Sequence, residues 1–89
     1  MAGERQFPVY FPDHALTSMR KRGADRDEVI QTIREAEWCQ AKHGRYEAEK
    51  EFPFDAAWNE KHYALKKVNP VFVVERDTII IVTVYCFYH

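Results

Sequence analysis

Cysteine is scarce in this chain: Cys39 and Cys86 are the only two in 89 residues, and they lie far apart in the sequence. Two cysteines are too few for the disulfide framework on which many small secreted domains depend. The cysteine content is instead typical of a protein that folds in a reducing cytosol.

An excess of positive charge is also missing. The formal net charge is −1 and the isoelectric point is about 6.4. No global field therefore draws the protein toward nucleic acid or an anionic membrane. A binding site for RNA or DNA would have to be a local cationic patch.

Long apolar segments are missing as well. The longest one, IIIVTVYCFY at residues 79–88, is far shorter than the roughly 20 residues of a transmembrane helix. The first residues, MAGERQFPVY, contain no apolar core of a signal peptide. We therefore expect a cytoplasmic protein with no membrane partner.

Hydrophobic residues, by contrast, are abundant: they make up 46% of the sequence, and aromatic residues make up 15%. This content is enough to build a core and argues against disorder. A chain of 89 residues is too short for a second core. Residues 1–89 are thus expected to form a single domain.

The N-terminal residues predict an edge strand and then a short helix. Residues 6–11 are aromatic and β-branched, and Pro8 limits them to the edge of a sheet. Asp13 is a candidate N-cap for a helix over residues 14–22. Gly23 stands where a left-handed C-cap is expected.

A second helix is predicted to begin at Asp25, which has capping-box spacing to Glu28. Val29, Ile33 and Ala36 then recur at helical spacing and form an apolar stripe. This stripe is the expected contact surface of the helix.

The C-terminal half predicts antiparallel strands. Residues 45–52 alternate as a strand with one acidic face. Residues 53–60 are expected to form a connection. A strand is expected at 61–68, with its lysines across from the glutamates of the first strand. A tight turn joins two further β segments, 71–75 and 78–87. The order of strand, two helices and three or four antiparallel strands indicates an α+β domain with both helices on one sheet face.

The first helix has an apolar side and an opposite side with a histidine and cationic residues. At about 100° per residue, Leu16 and Met19 fall on one side, while His14 and Lys21 fall on the other, with Arg22 near its margin. A histidine and two cations can supply the acid–base group and the phosphate-binding charge of a metal-independent ribonuclease. The same pattern also fits a solvated helix whose cations lie at the negative end of the helix dipole.

The last strand contains two residues with hydroxyl groups that are candidates for the same site. Thr83 and Tyr85 are predicted to share a face with Ile79, Ile81 and Phe87. Both faces are largely apolar, so a face that the helices leave free can stack bases, bury itself in a partner protein or form a dimer. A central strand buried on both faces, with Thr83 as a mere β former, is the alternative.

Two cysteine–histidine pairs have spacings that occur in zinc sites, namely Cys39 with His43 and Cys86 with His89. The first pair would lie in a loop and the second at the C-terminal end of the chain, and neither position favours a closed metal site. We expect no metal and no other cofactor.

The segment FPDHALTSMRKRGADRDEVIQTIREAE and the terminal IIIVTVYCFY together resemble an uncharacterised bacterial family, the domain of unknown function 4258. Nearly the whole chain takes part in the likeness: a histidine opens the first helix, RKRG closes it, an acid caps the second helix, and VTVY lies in the last strand. That family is similar to the RelE and ParE toxins and to barnase-like and colicin-like endoribonuclease folds. In these folds two N-terminal helices pack on an antiparallel sheet.

The resemblance implies a toxin-type, metal-independent endoribonuclease, with RNA as the substrate and an antitoxin protein as a partner. By that likeness His14 is the general acid or base, Arg22 holds the scissile phosphate together with Lys21, and Thr83 and Tyr85 orient the phosphate or a base.

RelE-like folds also include members without chemistry. The competing hypothesis is therefore a non-catalytic module that forms homodimers or binds another protein through Tyr85, Phe87 and Tyr88. The apolar last strand and the near-neutral charge favour this alternative, because both are more typical of an interface than of a phosphate site.

Overall fold

The computed structural model describes residues 2–89, which form three α-helices, one 3₁₀ turn and six strands. The helices are α1 (Ala2–Arg5), α2 (Asp13–Arg22) and α3 (Arg26–Glu35), and the 3₁₀ turn is Lys42–Gly44. The strands are β1 (Val9–Tyr10), β2 (Cys39–Gln40), β3 (Tyr46–Glu47), β4 (Lys50–Trp58), β5 (Lys61–Glu75) and β6 (Thr78–Tyr88). None of the helices in residues 2–89 is long and apolar enough to span a membrane.

The strands form one mixed sheet. Its order is β1-β6-β5-β3-β2, and β4 pairs with the first part of β5. The strand β1 runs parallel to β6 at the edge of the sheet, and the remaining pairs are antiparallel. The predicted α+β class is confirmed. The strands that follow the helices pair antiparallel, as predicted, but there are five of them where three or four were expected. The parallel pairing of β1 was not predicted.

The region after the helices differs most from the prediction. The expected strand at 45–52 is interrupted, because β3 ends at Glu47 and β4 starts at Lys50, and residues 53–58 continue β4 where a connection was expected. The strand β5 runs on through Pro70, whose carbonyl accepts a hydrogen bond from a residue in the gap between β3 and β4. Proline has no N–H, and at Pro70 this missing donor points to the gap between β3 and β4. No residue of a paired strand therefore loses a hydrogen bond.

The ends of the two long helices follow from local chemistry. The side chain of Asp25 accepts the N–H of Glu28, and the side chain of Glu28 accepts the N–H of Asp25, so the capping box is confirmed. Gly23 is the predicted left-handed C-cap of α2, with φ 81°. The N-cap prediction for Asp13 is wrong, because Asp13 already lies in the first turn and Pro12 precedes it. The carboxylate of Asp13 still lies near the positive end of the helix dipole.

The two long helices pack on the same face of the sheet, as predicted. Ala15 and Met19 of α2, and Val29 and Ile33 of α3, are buried in the core. Their partners are the fully buried apolar residues of β5 and β6, namely Val68, Phe72, Ile79, Ile81 and Val84.

A bulge in β6 changes the face that its side chains occupy. Thr83 and Ile81 pair with consecutive residues of β5, so Val82 is an extra residue in β6. A bulge of this kind moves the following side chains to the opposite face. The predicted common face of Ile79 and Ile81 with residues 83–87 is therefore wrong.

The side of the sheet opposite α2 and α3 is called the outer face below. The strand register assigns to it the pairs Asn69 with Tyr85 and Lys67 with Phe87, while β1 adds Tyr10 beside Ile80. The apolar members of this face include Tyr10, Leu65, Val71, Val73, Ile80, Tyr85 and Phe87.

Candidate functional site around Arg22

Three of the predicted site residues meet at the free edge of β6. Nη1 of Arg22 donates hydrogen bonds to Oγ1 of Thr83 at 3.2 Å and to the carbonyl of Val84 at 2.8 Å. The guanidinium also lies over the ring of Tyr85, 4.9 Å from its centroid. The structure thus joins Arg22, Thr83 and Tyr85, which are far apart in the sequence.

The position of Arg22 follows from the sheet topology. The strand β1 pairs only with Ile79 and Ile80, so the later part of β6 has one edge without a neighbouring strand. A backbone carbonyl at such an edge needs a donor from a side chain or water. Arg22, at the last turn of α2, supplies that donor to Val84. Its contacts therefore have a structural purpose whether or not the site has a further one.

The other two predicted site residues lie apart from this cluster. His14 is exposed in the first turn of α2. It precedes Arg22 by eight residues, which corresponds to about 12 Å along the helix axis. Lys21 is next to Arg22 and is also exposed. Within residues 2–89, the side chains of His14 and Lys21 make no hydrogen bond or ion pair.

A buried ion pair that was not predicted from the sequence lies next to Arg22. Nζ of Lys66 lies 2.7 Å from Oε1 of Glu28 and donates a hydrogen bond of 2.5 Å to the carbonyl of Gly23. The side chain of Lys66 is 6% exposed and that of Glu28 is 20% exposed. The sequence indicates that Lys66 points inward, because it stands two positions before the apolar Val68 in a strand. Its partner could not be deduced, because Glu28 lies in another element.

Aromatic rings surround the last residues of β6. The hydroxyl of Tyr88 donates a hydrogen bond of 2.6 Å to the carbonyl of Arg22. The ring of Trp58 stacks on that of Tyr88, with centroids 4.9 Å apart, and the rings of Phe54 and Tyr63 lie 5.1 Å and 5.8 Å away. Burial raises the pKa of Tyr88 to about 12. Tyr88 is thus a neutral donor at physiological pH.

The two cysteines differ in their surroundings. Burial raises the pKa of Cys86, which keeps its thiol protonated and weakly nucleophilic. Cys39 is exposed. Within residues 2–89, no three histidine, cysteine, aspartate or glutamate side chains come together as a metal site would require.

The outer face carries the large hydrophobic side chains that remain exposed in residues 2–89. Tyr10 is 58% exposed, Tyr85 is 42% exposed and Phe87 is 49% exposed. Their register puts all three on the side of the sheet that α2 and α3 leave free. A group of exposed aromatic side chains on one face is typical of a binding surface.

Carboxylates flank these aromatic residues on the β3–β4 side. Glu47 and Glu51 pair in register with the outer-face residues Val71 and Lys67. Glu49 lies between them and its carboxylate is 3.9 Å from Nζ of Lys67. These three glutamates are called the acidic strip.

No protein-family model, curated protein or solved structure matches this chain. The likeness to the domain of unknown function 4258 and to the RelE-like folds therefore stays a prediction.

Proposed function

We propose that this protein is a non-catalytic binding module on a RelE-like scaffold and that it holds a partner protein on the outer face of its sheet. The observation that carries the proposal is the position of Tyr10, Tyr85 and Phe87. All three are exposed, and all three lie on the one sheet face that the helices do not cover. Aromatic residues are enriched at the centres of protein interfaces.

The geometry around Arg22 supports binding more than catalysis. A general acid or base must come within about 3 Å of the group that it protonates, and His14 lies about 12 Å along the helix from Arg22. The guanidinium of Arg22 is already bonded to Thr83 and Val84. The acidic strip on the same sheet would also repel an RNA backbone.

The binding function is tested with Phe87→Asp. The substitution puts a charge into the aromatic group at Phe87, which lies at one end of the group and is 49% exposed. Stability should therefore change by less than about 1 kcal/mol while partner binding is lost. Tagged wild type and variant are used to capture partners, and the complex is then mapped by hydrogen exchange.

The matched control is Thr17→Asp, which adds the same charge to an exposed position of α2 on the helix side of the sheet. We expect the control to retain the partner and slowed exchange to appear in β6. Equal capture by all three proteins, or protection confined to the helices, would contradict the proposal.

RNA cleavage is the second candidate, and the meeting of Arg22, Thr83 and Tyr85 beside Lys21 favours it. An arginine, a lysine and two hydroxyl groups can neutralise and orient a phosphate. Expression in a bacterial host should then arrest growth with loss of total RNA, and Lys21→Ala should relieve both effects. A catalytic role for His14 further requires that His14→Ala abolish them. Normal growth with intact RNA excludes this candidate.

A further inference from the structure

We infer that the occupant of the outer face is a positively charged amphipathic helix of a partner protein, lying along β5 and β6. This inference rests on the proposed binding function and adds the chemistry of the partner. It follows from three features of the outer face: its aromatic strip, its acidic strip and its length.

The aromatic and acidic strips run side by side along the strands. The aromatic strip is formed by Tyr10, Tyr85 and Phe87 at the β1–β6 side. The acidic strip lies on the other side of β5. A ligand that covers both strips must therefore present apolar groups along one side and cations along the other, as a basic amphipathic helix does.

The acidic strip keeps unneutralised charge. Lys67 is the lysine of the outer face beside it, and its Nζ is 3.9 Å from Glu49. Glu51 contacts His89, which is cationic only when protonated, and Glu47 accepts a hydrogen bond from the neutral amide of Asn69. Within residues 2–89, Lys67 is thus the one permanent cation in contact with these three carboxylates, which favours lysine or arginine on the ligand.

The length of the aromatic strip matches a helix of ordinary size. The strip runs from Ile80, which pairs with Val73, to Phe87, which pairs with Lys67, and these six steps along β5 span about 20 Å. An α-helix of about 13 residues has the same length. Such a helix would cover the sheet face that α2 and α3 leave free and complete a three-layer arrangement.

A second copy of this chain fits the outer face less well. In a symmetric pair, the acidic strip of one copy would meet either the acidic strip or the aromatic strip of the other. In both arrangements the glutamates of one copy lie opposite glutamates or aromatic rings of the other, and not opposite a row of cations. A partner segment that paired as a strand with the free edge of β6 also fits less well. Arg22 occupies that edge through its hydrogen bond to the carbonyl of Val84.

The test uses two 16-residue fluorescent peptides with the same leucine and alanine pattern, one with lysine and one with glutamate on the polar side. Binding to the full chain is followed by fluorescence anisotropy at low salt. We expect the lysine peptide to bind at least about tenfold more tightly than the glutamate peptide. Phe87→Asp should weaken its binding by a similar factor, because the apolar contact is lost.

The charge of the acidic strip is tested with Glu49→Lys against Asp27→Lys. Both substitutions change the net charge by the same amount, but Asp27 is exposed at the start of α3, on the other side of the sheet. Glu49→Lys should weaken binding of the lysine peptide by about fivefold or more, and Asp27→Lys by less than about twofold. Equal effects of the two variants would overturn the inference, since they would mean non-specific attraction.

Further outcomes separate this inference from the proposed function. If neither peptide binds, if the glutamate peptide binds equally well, or if the chain alone sediments as a dimer that Phe87→Asp dissociates, the basic helix is overturned. The binding function still stands if Phe87→Asp abolishes partner capture or dimer formation. The binding function also fails only when Phe87→Asp changes neither partner capture nor dimer formation.

Discussion

Replacing Gly23 with alanine should lower the free energy of unfolding by about 3 kcal/mol, which is a large part of the stability of a domain of this size. Gly23 has φ +81°, which disfavours residues with a side chain, and an added Cβ would lie 2.5 Å from the hydroxyl of Tyr88 and 2.8 Å from the ring of Trp58. These groups cannot withdraw easily, because the hydroxyl is bonded to Arg22 and the two rings are stacked. Urea unfolding followed by tryptophan fluorescence measures the loss.

Gly44→Ala is the matched control for this prediction. Gly44 has a similar backbone conformation, with φ +70°, but an added Cβ would have no atom within 4 Å. Its cost should therefore be only the conformational part, about 1 kcal/mol. If the two variants lost equal stability, the close packing of Gly23 against Tyr88 and Trp58 would not contribute.

Neutralising Glu28 should be the second most damaging change, at about 3 kcal/mol, because it leaves the ammonium of Lys66 buried without a counter-charge. Glu28→Gln isolates this effect, since glutamine can also complete the capping box with Asp25. The reverse change, Lys66→Met, should cost less, because Glu28 is the more exposed partner of the pair, at 20% against 6%. Urea unfolding of each variant gives the comparison.

The double variant Glu28→Gln with Lys66→Met should recover most of the stability lost in Glu28→Gln alone, because it removes both buried charges. Glu35→Gln is the control: Glu35 pairs with Lys50 at 3.4 Å, but the two side chains are 55% and 31% exposed, so the loss should stay below about 0.5 kcal/mol. A loss in Glu28→Gln no larger than in Glu35→Gln would mean that burial does not strengthen the pair.

Both predictions concern the place where α2 ends on the sheet. Tyr88 bonds the carbonyl of Arg22, and Lys66 bonds the carbonyl of Gly23. These two carbonyls belong to the end of the helix, where no intrahelical donor is left for them. The same side chains thus cap the helix and hold Arg22 against the edge of β6. A loss of this capping should disturb the outer face as well, since Arg22 contacts Tyr85.

The elements that were predicted correctly depend on residues close together in the chain. Gly23 as a left-handed cap, and the capping box of Asp25 and Glu28, need only neighbours three or four positions away. The hairpin of β5 and β6 depends on a tight turn at Arg76 and Asp77, which separates two strongly β segments. Local preferences and local hydrogen bonds were sufficient for these features.

The predictions that failed depend on contacts between distant segments. Residues 53–58 form a strand because β5 offers them an edge, and no local signal announced that pairing. The extra residue Val82 is visible only when β6 is aligned with β5. Once the bulge is known, the burial of Val84 and the exposure of Tyr85 and Phe87 follow from simple alternation.

The sequence alone determined that this chain is a small α+β domain with two capped helices, because caps, helical periodicity and β-rich segments are encoded within a few residues. It also singled out Arg22, Thr83 and Tyr85 as candidates. Only the tertiary structure decided that these three meet while His14 lies apart, and that Lys66 and Glu28 form a buried pair. Which side chains share a surface depends on sheet register and on the packing of helix against strand, and these are set by long-range contacts that a linear pattern does not contain.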